Sequence, residues 1–113
     1  MEKLESLQFI NAAAEREFRK DLTKNSQESF VKSLQDVMDG RPPSLPFKYI
    51  KAVGKGAIEL IINGSPAFRV IYVAKHNNTL YILHSFSKTT SGVDLPAMKL
   101  AKKRYQEIPT DWN

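Results

Sequence analysis

The sequence contains no cysteine, so disulfide bonds, zinc–thiolate centres and cysteine nucleophiles are excluded. Histidine is almost as scarce, with two residues in 113, and a metal site built from imidazoles is not expected. No apolar run reaches the roughly 18 residues that span a membrane. The N-terminal residues also lack the basic and apolar regions of a secretory signal. These absences predict a cytoplasmic protein without a metal or a membrane partner.

Nucleotide-binding motifs are missing as well. The glycines form neither a Walker-type phosphate loop nor a dinucleotide fingerprint, so no small-molecule cofactor is expected. A chain of 113 residues has room for one hydrophobic core, and residues 1–113 are therefore predicted to form a single domain.

Acidic side chains are scarce in one part of the chain only. Residues 1–40 carry six basic and eight acidic side chains, whereas residues 41–113 carry eleven basic and four acidic ones. Glu59 is the one acidic residue between Gly40 and Asp94. Catalysis by paired carboxylates or by two metal ions is therefore not expected. The segregated positive charge indicates a polyanionic partner, for which RNA is the main candidate. A solvated basic surface without a partner is the alternative.

The N-terminal third is predicted to be helical. Good helix formers predict one helix over 12–22, and apolar spacings of three and four predict a second helix that begins near Asn25-Ser26 and ends at Gly40. Residues 7–10 could form a short leading strand. The proline-rich segment 41–46 cannot be a helix or a central strand, so it carries the chain to a sheet.

The remainder predicts a sheet followed by a helix. Residues 57–62, 67–74 and 79–87 are rich in strand-forming residues, and the turns at 63–66 and 76–78 are too short for parallel crossovers. An antiparallel meander is therefore expected. Asp94 and Pro96 begin a last helix that Pro109 ends. The predicted fold is α+β, with two N-terminal helices, an antiparallel sheet of three to four strands and a C-terminal helix.

RNA cleavage is one reaction that cationic residues can catalyse without a metal, because the 2′-OH attacks the adjacent phosphate. The enzyme must take the 2′-OH proton, stabilise the phosphorane and protonate the leaving oxygen. The candidate residues for this chemistry are Lys48, Lys51, Lys55, Arg69, His84, Lys88 and Tyr105.

Structural roles compete with each of these assignments. Arg69 could face solvent from its strand, His84 could be a hydrogen-bonded structural residue, and Tyr105 could pack in the core. The cluster on the last helix is either a solvated face or a polyanion-binding one: Lys99, Lys102, Lys103 and Arg104.

Three segments together resemble the RelE/ParE toxin superfamily, in particular its HigB-like, phage-derived branch. They are Pro-Ala-Phe-Arg-Val-Ile-Tyr-Val around Arg69, Leu-His-Ser-Phe-Ser-Lys-Thr-Thr over 83–90, and Leu-Ala-Lys-Lys-Arg-Tyr over 100–105. The resemblance extends over roughly residues 4–108. It implies a toxin of a type II toxin–antitoxin pair that cleaves mRNA in the ribosomal A site and is inhibited by a small helix-turn-helix antitoxin.

The same resemblance implies roles for individual residues. Arg69 would contact the scissile phosphate, Lys88 would lie at the edge of the site, and the lysines at 48, 51 and 55 would face RNA. His84 is carried as a third catalytic candidate. Two positions depart from the family pattern, because a hydrophobic residue stands at Ile61 where an arginine is common and Thr89 replaces a second lysine. A toxin or binding module of the same fold without RNase activity, such as a gyrase-directed one, is therefore the alternative.

Overall fold

The computed structural model describes residues 3–75 and 78–109. Its elements follow in the order β1 (Ser6–Phe9), α1 (Ala12–Lys20), α2 (Lys24–Met38), β2 (Phe47–Tyr49), β3 (Ala57–Ile62), β4 (Ala67–Lys75), β5 (Thr79–Lys88) and α3 (Leu95–Tyr105). The predicted α+β class is confirmed. Within these described ranges, no helix is long and apolar enough to cross a membrane.

The five strands form one mixed sheet in the order β1-β5-β4-β3-β2. Strands β3, β4 and β5 are the expected antiparallel meander. The sheet differs from the prediction in two ways. β1 pairs with β5 in parallel, which the long connection through α1, α2 and the strands β2–β4 permits, and β2 adds a strand beside β3. The predicted turn at 76–78 lies outside the described residues except for Asn78, which has a positive φ of 55°.

Hydrophobic side chains cover both faces of the sheet, because alternate residues of a strand point to opposite sides. On one face Val70 and Tyr72 of β4 pack with the buried residues of α1 and α2, including Phe18, Phe30 and Leu34. On the other face, Ile71 and Val73 pack with Ala97 and Ala101 of α3. The central strands are therefore buried on both sides, and α3 covers the second face together with Val53 of the segment after β2.

Polar side chains begin each helix. Asn11 accepts a hydrogen bond from the Ala14 N–H at 2.8 Å, and Asp94 accepts one from the Ala97 N–H at 3.0 Å. The second helix begins at Lys24, one residue before the predicted break at Asn25-Ser26. Its N-cap is Thr23, whose hydroxyl accepts from the Ser26 N–H at 3.1 Å, while Ser26 itself is buried in the first turn. The predicted end is confirmed, since Gly40 has a φ of 82° just beyond α2.

Strand β5 contains a β-bulge next to α3. Ile71 pairs with His84 and Tyr72 pairs with Ile82, so Leu83 has no directly opposed residue in β4. The backbone carbonyl of Leu83 instead accepts a hydrogen bond from Arg104 Nη1 at 2.9 Å. The bulge thus gives the last helix a point of attachment in the sheet.

Candidate nucleic-acid interface

The sheet register brings charged residues from four strands to the face that α3 partly covers. Lys48 lies opposite Glu59, Arg69 lies opposite Phe86, and Lys88 lies opposite Ala67. Opposed residues share a face, and so do residues two apart on one strand. Side chains distant in sequence therefore meet on this face beyond the N-terminal end of α3.

A cleft of about 280 Å³ opens between this face and the start of α3. Three lysines and two carboxylates line it, together with Phe86 and Met98: Lys48, Lys51, Lys88, Glu59 and Asp94. Asp94 also caps α3, so one of the two carboxylates is already engaged by a backbone N–H. The cleft thus has a cationic rim on an apolar floor, which suits a phosphodiester with an attached base or sugar.

Glu59 lines this cleft, although it was not among the predicted site residues. Its side chain is buried, and its Oε1 lies 3.5 Å from Lys48 Nζ and 3.7 Å from Arg69 Nη1. The carboxylate therefore stands between two cations from the neighbouring strands β2 and β4. The isolation of Glu59 in a basic stretch could have indicated a role in the site, but it was taken only as evidence against catalysis by paired carboxylates.

Arg69 lies on the expected face but is less accessible than its predicted role suggests. Its side chain is 12% exposed, and it does not line the cleft. Its Nε is buried without a hydrogen-bond partner among the described residues. Arg69 is therefore held within the fold beside Glu59, next to the cleft rather than in its lining.

Lys88 ends β5 at the mouth of the cleft. Its Nζ donates a hydrogen bond to the Gly92 carbonyl, which closes the short loop between β5 and Asp94. Val93 and Leu95 on either side of Asp94 are exposed. Lys88 thus lines the cleft at the end of β5, and its side chain is held by the loop that follows.

The segment after β2 carries the other two predicted lysines and is held by α3. Lys51 and Lys55 line a shallower groove that adjoins the cleft. Tyr105 of α3 donates a hydrogen bond from its hydroxyl to the Lys55 carbonyl at 2.8 Å. Its ring lies over Gly54 so closely that a Cβ there would be 2.5 Å from Cζ. Tyr105 therefore has the packing role that was the alternative for it, and it also holds the backbone segment that carries both lysines.

The structure does not bring His84 into the cleft. The ring is buried, stacks on Phe86 with 4.9 Å between ring centroids, and has Nδ1 2.7 Å from Glu17 Oε1. Phe86 lines the cleft whereas His84 does not. The observed position matches the structural alternative, in which the histidine is hydrogen-bonded within the fold.

Glu17 also binds Arg104, which corrects the predicted placement of that arginine. The Arg104 side chain is buried, and its Nη1 and Nη2 donate to Glu17 Oε1 and Oε2, each at 2.8 Å. Burial opposes ionisation of Glu17, but the hydrogen bonds from Arg104 and His84 outweigh it, so the pKa of Glu17 is lowered from its ordinary value of 4.5. Arg104 is therefore not on the exposed basic face of α3.

The remaining cations of that face are exposed as predicted. Lys99, Lys102 and Lys103 point to solvent, and none of them lines the cleft. Within residues 3–75 and 78–109 no group of three or more histidine or acidic side chains is arranged to hold a metal ion. The basic residues thus fall into two sets, one in and beside the cleft and one on the outer surface of α3.

The chain matches a known protein family. No curated protein matches the chain. The family model described as phage derived protein Gp49-like (DUF891) matches residues 17–106, which include α2, every strand except β1, and α3. This match extends over most of the chain and includes each residue that lines the cleft. The chain therefore belongs to the family of phage-derived Gp49-like proteins, which are RelE-like toxins associated with toxin–antitoxin systems.

Proposed function

We propose that this protein is a HigB-like toxin of a type II toxin–antitoxin system that cleaves mRNA on the ribosome. In the proposed reaction the 2′-oxygen attacks the adjacent phosphorus and loses its proton, and the bond to the 5′-oxygen breaks as that oxygen gains a proton. The products are a 2′,3′-cyclic phosphate and a 5′-hydroxyl. Cations that stabilise the phosphorane are the main requirement of such a step.

The cleft is the observation that carries this proposal. Lys48 and Lys51 belong to one short segment, Lys88 comes from the distant end of β5, and all three line one opening beside α3. Such convergence is more specific than the net charge of +5, which many basic proteins share. An RNA strand that enters the cleft would place a phosphate among these three ammonium groups.

The residues around the cleft receive different roles in the proposal. Lys48 and Lys88 would contact the scissile phosphate, and Arg69 would stabilise the developing charge from behind Glu59. Glu59 would act as a positioning residue, because its carboxylate lies between Lys48 and Arg69. His84 would support the cleft through its stacking on Phe86 and would not touch RNA.

The surface outside the cleft is assigned to the ribosome and to an inhibitor. Lys55 and the exposed lysines of α3 (99, 102 and 103) would contact ribosomal RNA or mRNA beyond the cleaved bond. Family membership supports an antitoxin partner, which we propose to be a small helix-turn-helix protein. Acidic side chains on that partner would complement the basic surface.

Primer extension on mRNA from expressing cells tests the activity. The wild-type chain is expected to produce new 5′ ends within translated regions, and Lys88→Gln is expected to remove them. Arg69→Ala is also expected to remove them. Because Lys88 is partly exposed, Lys88→Gln should leave the fold intact, and its effect can be assigned to catalysis rather than to folding. Lys103→Gln is the matched control, since it removes the same charge outside the cleft. Unchanged cleavage by Lys88→Gln would refute the assigned site.

One observation favours a toxin without RNase activity as the second candidate. Ile61 lies directly opposite Arg69 in the sheet, so the position next to that arginine carries no second cation. The loss of one cation that stabilises the transition state can raise the activation barrier by a few kcal/mol, which slows the reaction. Growth arrest with intact mRNA and stalled replication would select this candidate, in which the basic cleft binds a macromolecule but does not cut it.

A further inference from the structure

The cleft beside α3 has one wall that the proposed chemistry does not use. The end of β5, the loop after it and the start of α3 form this wall, with Phe86, Val93, Asp94 and Met98 lining the opening. Asp94 and Met98 are four residues apart and therefore lie on one side of the helix. We refer to these four residues as the α3 wall. It offers apolar surface and one carboxylate, whereas the rest of the cleft supplies the lysines.

The apolar part of the α3 wall is partly open to solvent. Val93 is 66% exposed and belongs to neither hydrophobic cluster of the described residues. Met98 is half-buried, and the ring of Phe86 is held from one side by its stacking on His84. Apolar side chains next to lysines suit a flat ligand with apolar faces and a nearby negative charge. A nucleotide of a single strand has this combination.

Asp94 adds a hydrogen-bond acceptor to this surface. Its Oδ1 accepts the Ala97 N–H at 3.0 Å as the N-cap of α3. Among the described residues no group donates to its second carboxylate oxygen. A carboxylate accepts hydrogen bonds and cannot donate them. A ligand that lies against the α3 wall is therefore expected to bring an N–H donor to this oxygen.

The charge of Asp94 is not needed for capping. Asparagine and serine cap helices about as well as aspartate. A negative charge in a cleft lined by lysines opposes the binding of phosphate. The other carboxylate of the cleft, Glu59, lies between Lys48 and Arg69, whereas none of the described cations forms an ion pair with Asp94. Its carboxylate therefore needs a role of its own, for which base selection is suited.

The size of the cleft limits the ligand to one base of a single strand. Its volume of about 280 Å³ lies just under the roughly 300 Å³ at which pockets for drug-sized molecules begin. A double helix cannot enter such a space. Single-stranded RNA can turn one unstacked base outward and leave its phosphates at the rim. Lys48, Lys51 and Lys88 are the cations available to those phosphates.

We propose that the α3 wall is a subsite for one base of single-stranded RNA, and that Asp94 makes it select a base with an exocyclic amino group, cytosine or adenine, over uracil. The amino groups N4 of cytosine and N6 of adenine donate hydrogen bonds, whereas uracil carries the acceptor O4 where cytosine carries N4. A carboxylate oxygen attracts the amino group and repels O4. The inference rests on the proposed function in one respect, namely that the ligand of the cleft is RNA.

Binding of two uncleavable oligonucleotides to the full chain tests the proposal without catalysis. The probes are tetramers of cytidine and of uridine with 2′-O-methyl groups, which cannot attack the phosphate. Their affinities are measured by fluorescence anisotropy at one low salt concentration. The cytidine tetramer is expected to bind about tenfold more tightly. Equal affinities would overturn the subsite and leave RNA binding by the cleft intact. Failure of both tetramers to bind would overturn the proposed function as well.

Asp94→Asn identifies the selecting group. Its carbonyl oxygen can still accept the Ala97 N–H, but the second oxygen becomes an amino group that donates to O4 of uracil. The preference for cytidine is expected to fall from about tenfold to parity or to reverse. Retained binding of the uridine tetramer shows that the variant is folded.

Glu107→Gln is the matched control, because it removes one negative charge from an exposed position just beyond the far end of α3. Loss of a negative charge can raise the affinity for both tetramers, but the ratio of the two affinities should remain that of the wild type. An Asp94→Asn variant that also keeps the wild-type ratio would overturn the proposal.

Discussion

Glu17 and Arg104 are 87 residues apart in the sequence and form a two-point ion pair, with both donor–acceptor distances at 2.8 Å. The pair joins α1 to α3 at the middle of β5, where Arg104 also binds the Leu83 carbonyl. Two parallel N–H···O bonds fix orientation as well as distance. The first and last helices of the fold are thereby held to one strand.

Arg104→Ala is expected to lower the free energy of unfolding by about 3 kcal/mol, because it leaves the largely buried Glu17 carboxylate with much less compensation. Urea denaturation measures this change. Lys103→Ala is the matched control, since its side chain is exposed, and it should alter stability by less than about 0.5 kcal/mol. Similar losses in the two variants would mean that the ion pair does not contribute to stability.

Glu17 also makes stability depend on pH. Its pKa is lowered in the folded state, so the unfolded chain binds more protons over the acidic range. The stabilisation is therefore fully present above the ordinary value of 4.5 and is lost as the pH falls through the lower folded value. Urea denaturation of the wild type across this range should show a steeper acid decline than that of Glu17→Gln. Parallel curves for the two proteins would contradict the assignment.

Gly54→Ala is expected to destabilise the protein by about 1–3 kcal/mol, because the new methyl group would overlap the Tyr105 ring. The matched comparison is Gly54→Ala combined with Tyr105→Ala. If the ring is the obstacle, the cost of the alanine at position 54 should largely disappear in the Tyr105→Ala background. An unchanged cost in this double-mutant cycle would point to another cause.

The two sets of lysines can be compared through the salt dependence of RNA binding. Neutralising Lys48, Lys51 and Lys88 to glutamine should weaken binding to a single-stranded oligonucleotide and reduce the slope of log affinity against log salt by about 2. Neutralising the three exposed lysines of α3 provides a control with the same change in charge. We expect the cleft variant to lose more affinity. An equal or larger loss in the α3 variant would place the main contact outside the cleft.

Periodicity predicted the elements with long, regular patterns. The helices α1 and α2 and the meander β3–β5 are found close to their predicted ranges, because apolar spacing reports directly on buried faces. β2 was missed, since three residues that are exposed on both faces leave no such pattern. The parallel pairing of β1 with β5 joins segments about 70 residues apart, and nothing local in either strand specifies a partner.

The site residues were predicted only in part, again because nothing local in the sequence specifies contacts between distant residues. Lys48, Lys51 and Lys88 reach one cleft, but the contacts of Glu17 with His84 and Arg104 join residues 67 and 87 positions apart. A signal for Arg104 did exist in the sequence. Ala97, Ala101, Arg104 and Ile108 follow one another at helical spacings, and all four are buried. An arginine on that stripe indicates an internal carboxylate partner, which only the fold identifies as Glu17.

The attachment of α1 and β5 to Arg104 also sets an order of events during synthesis. The helices α1 and α2 and the meander precede this residue in the chain, but the carboxylate of Glu17 cannot bind Arg104 until that residue has been synthesised and has left the ribosomal exit tunnel. A nascent chain at any earlier stage lacks the lock between its two ends. The cleft, which Asp94 and Met98 of this last segment line, is therefore assembled only after α3 has been synthesised.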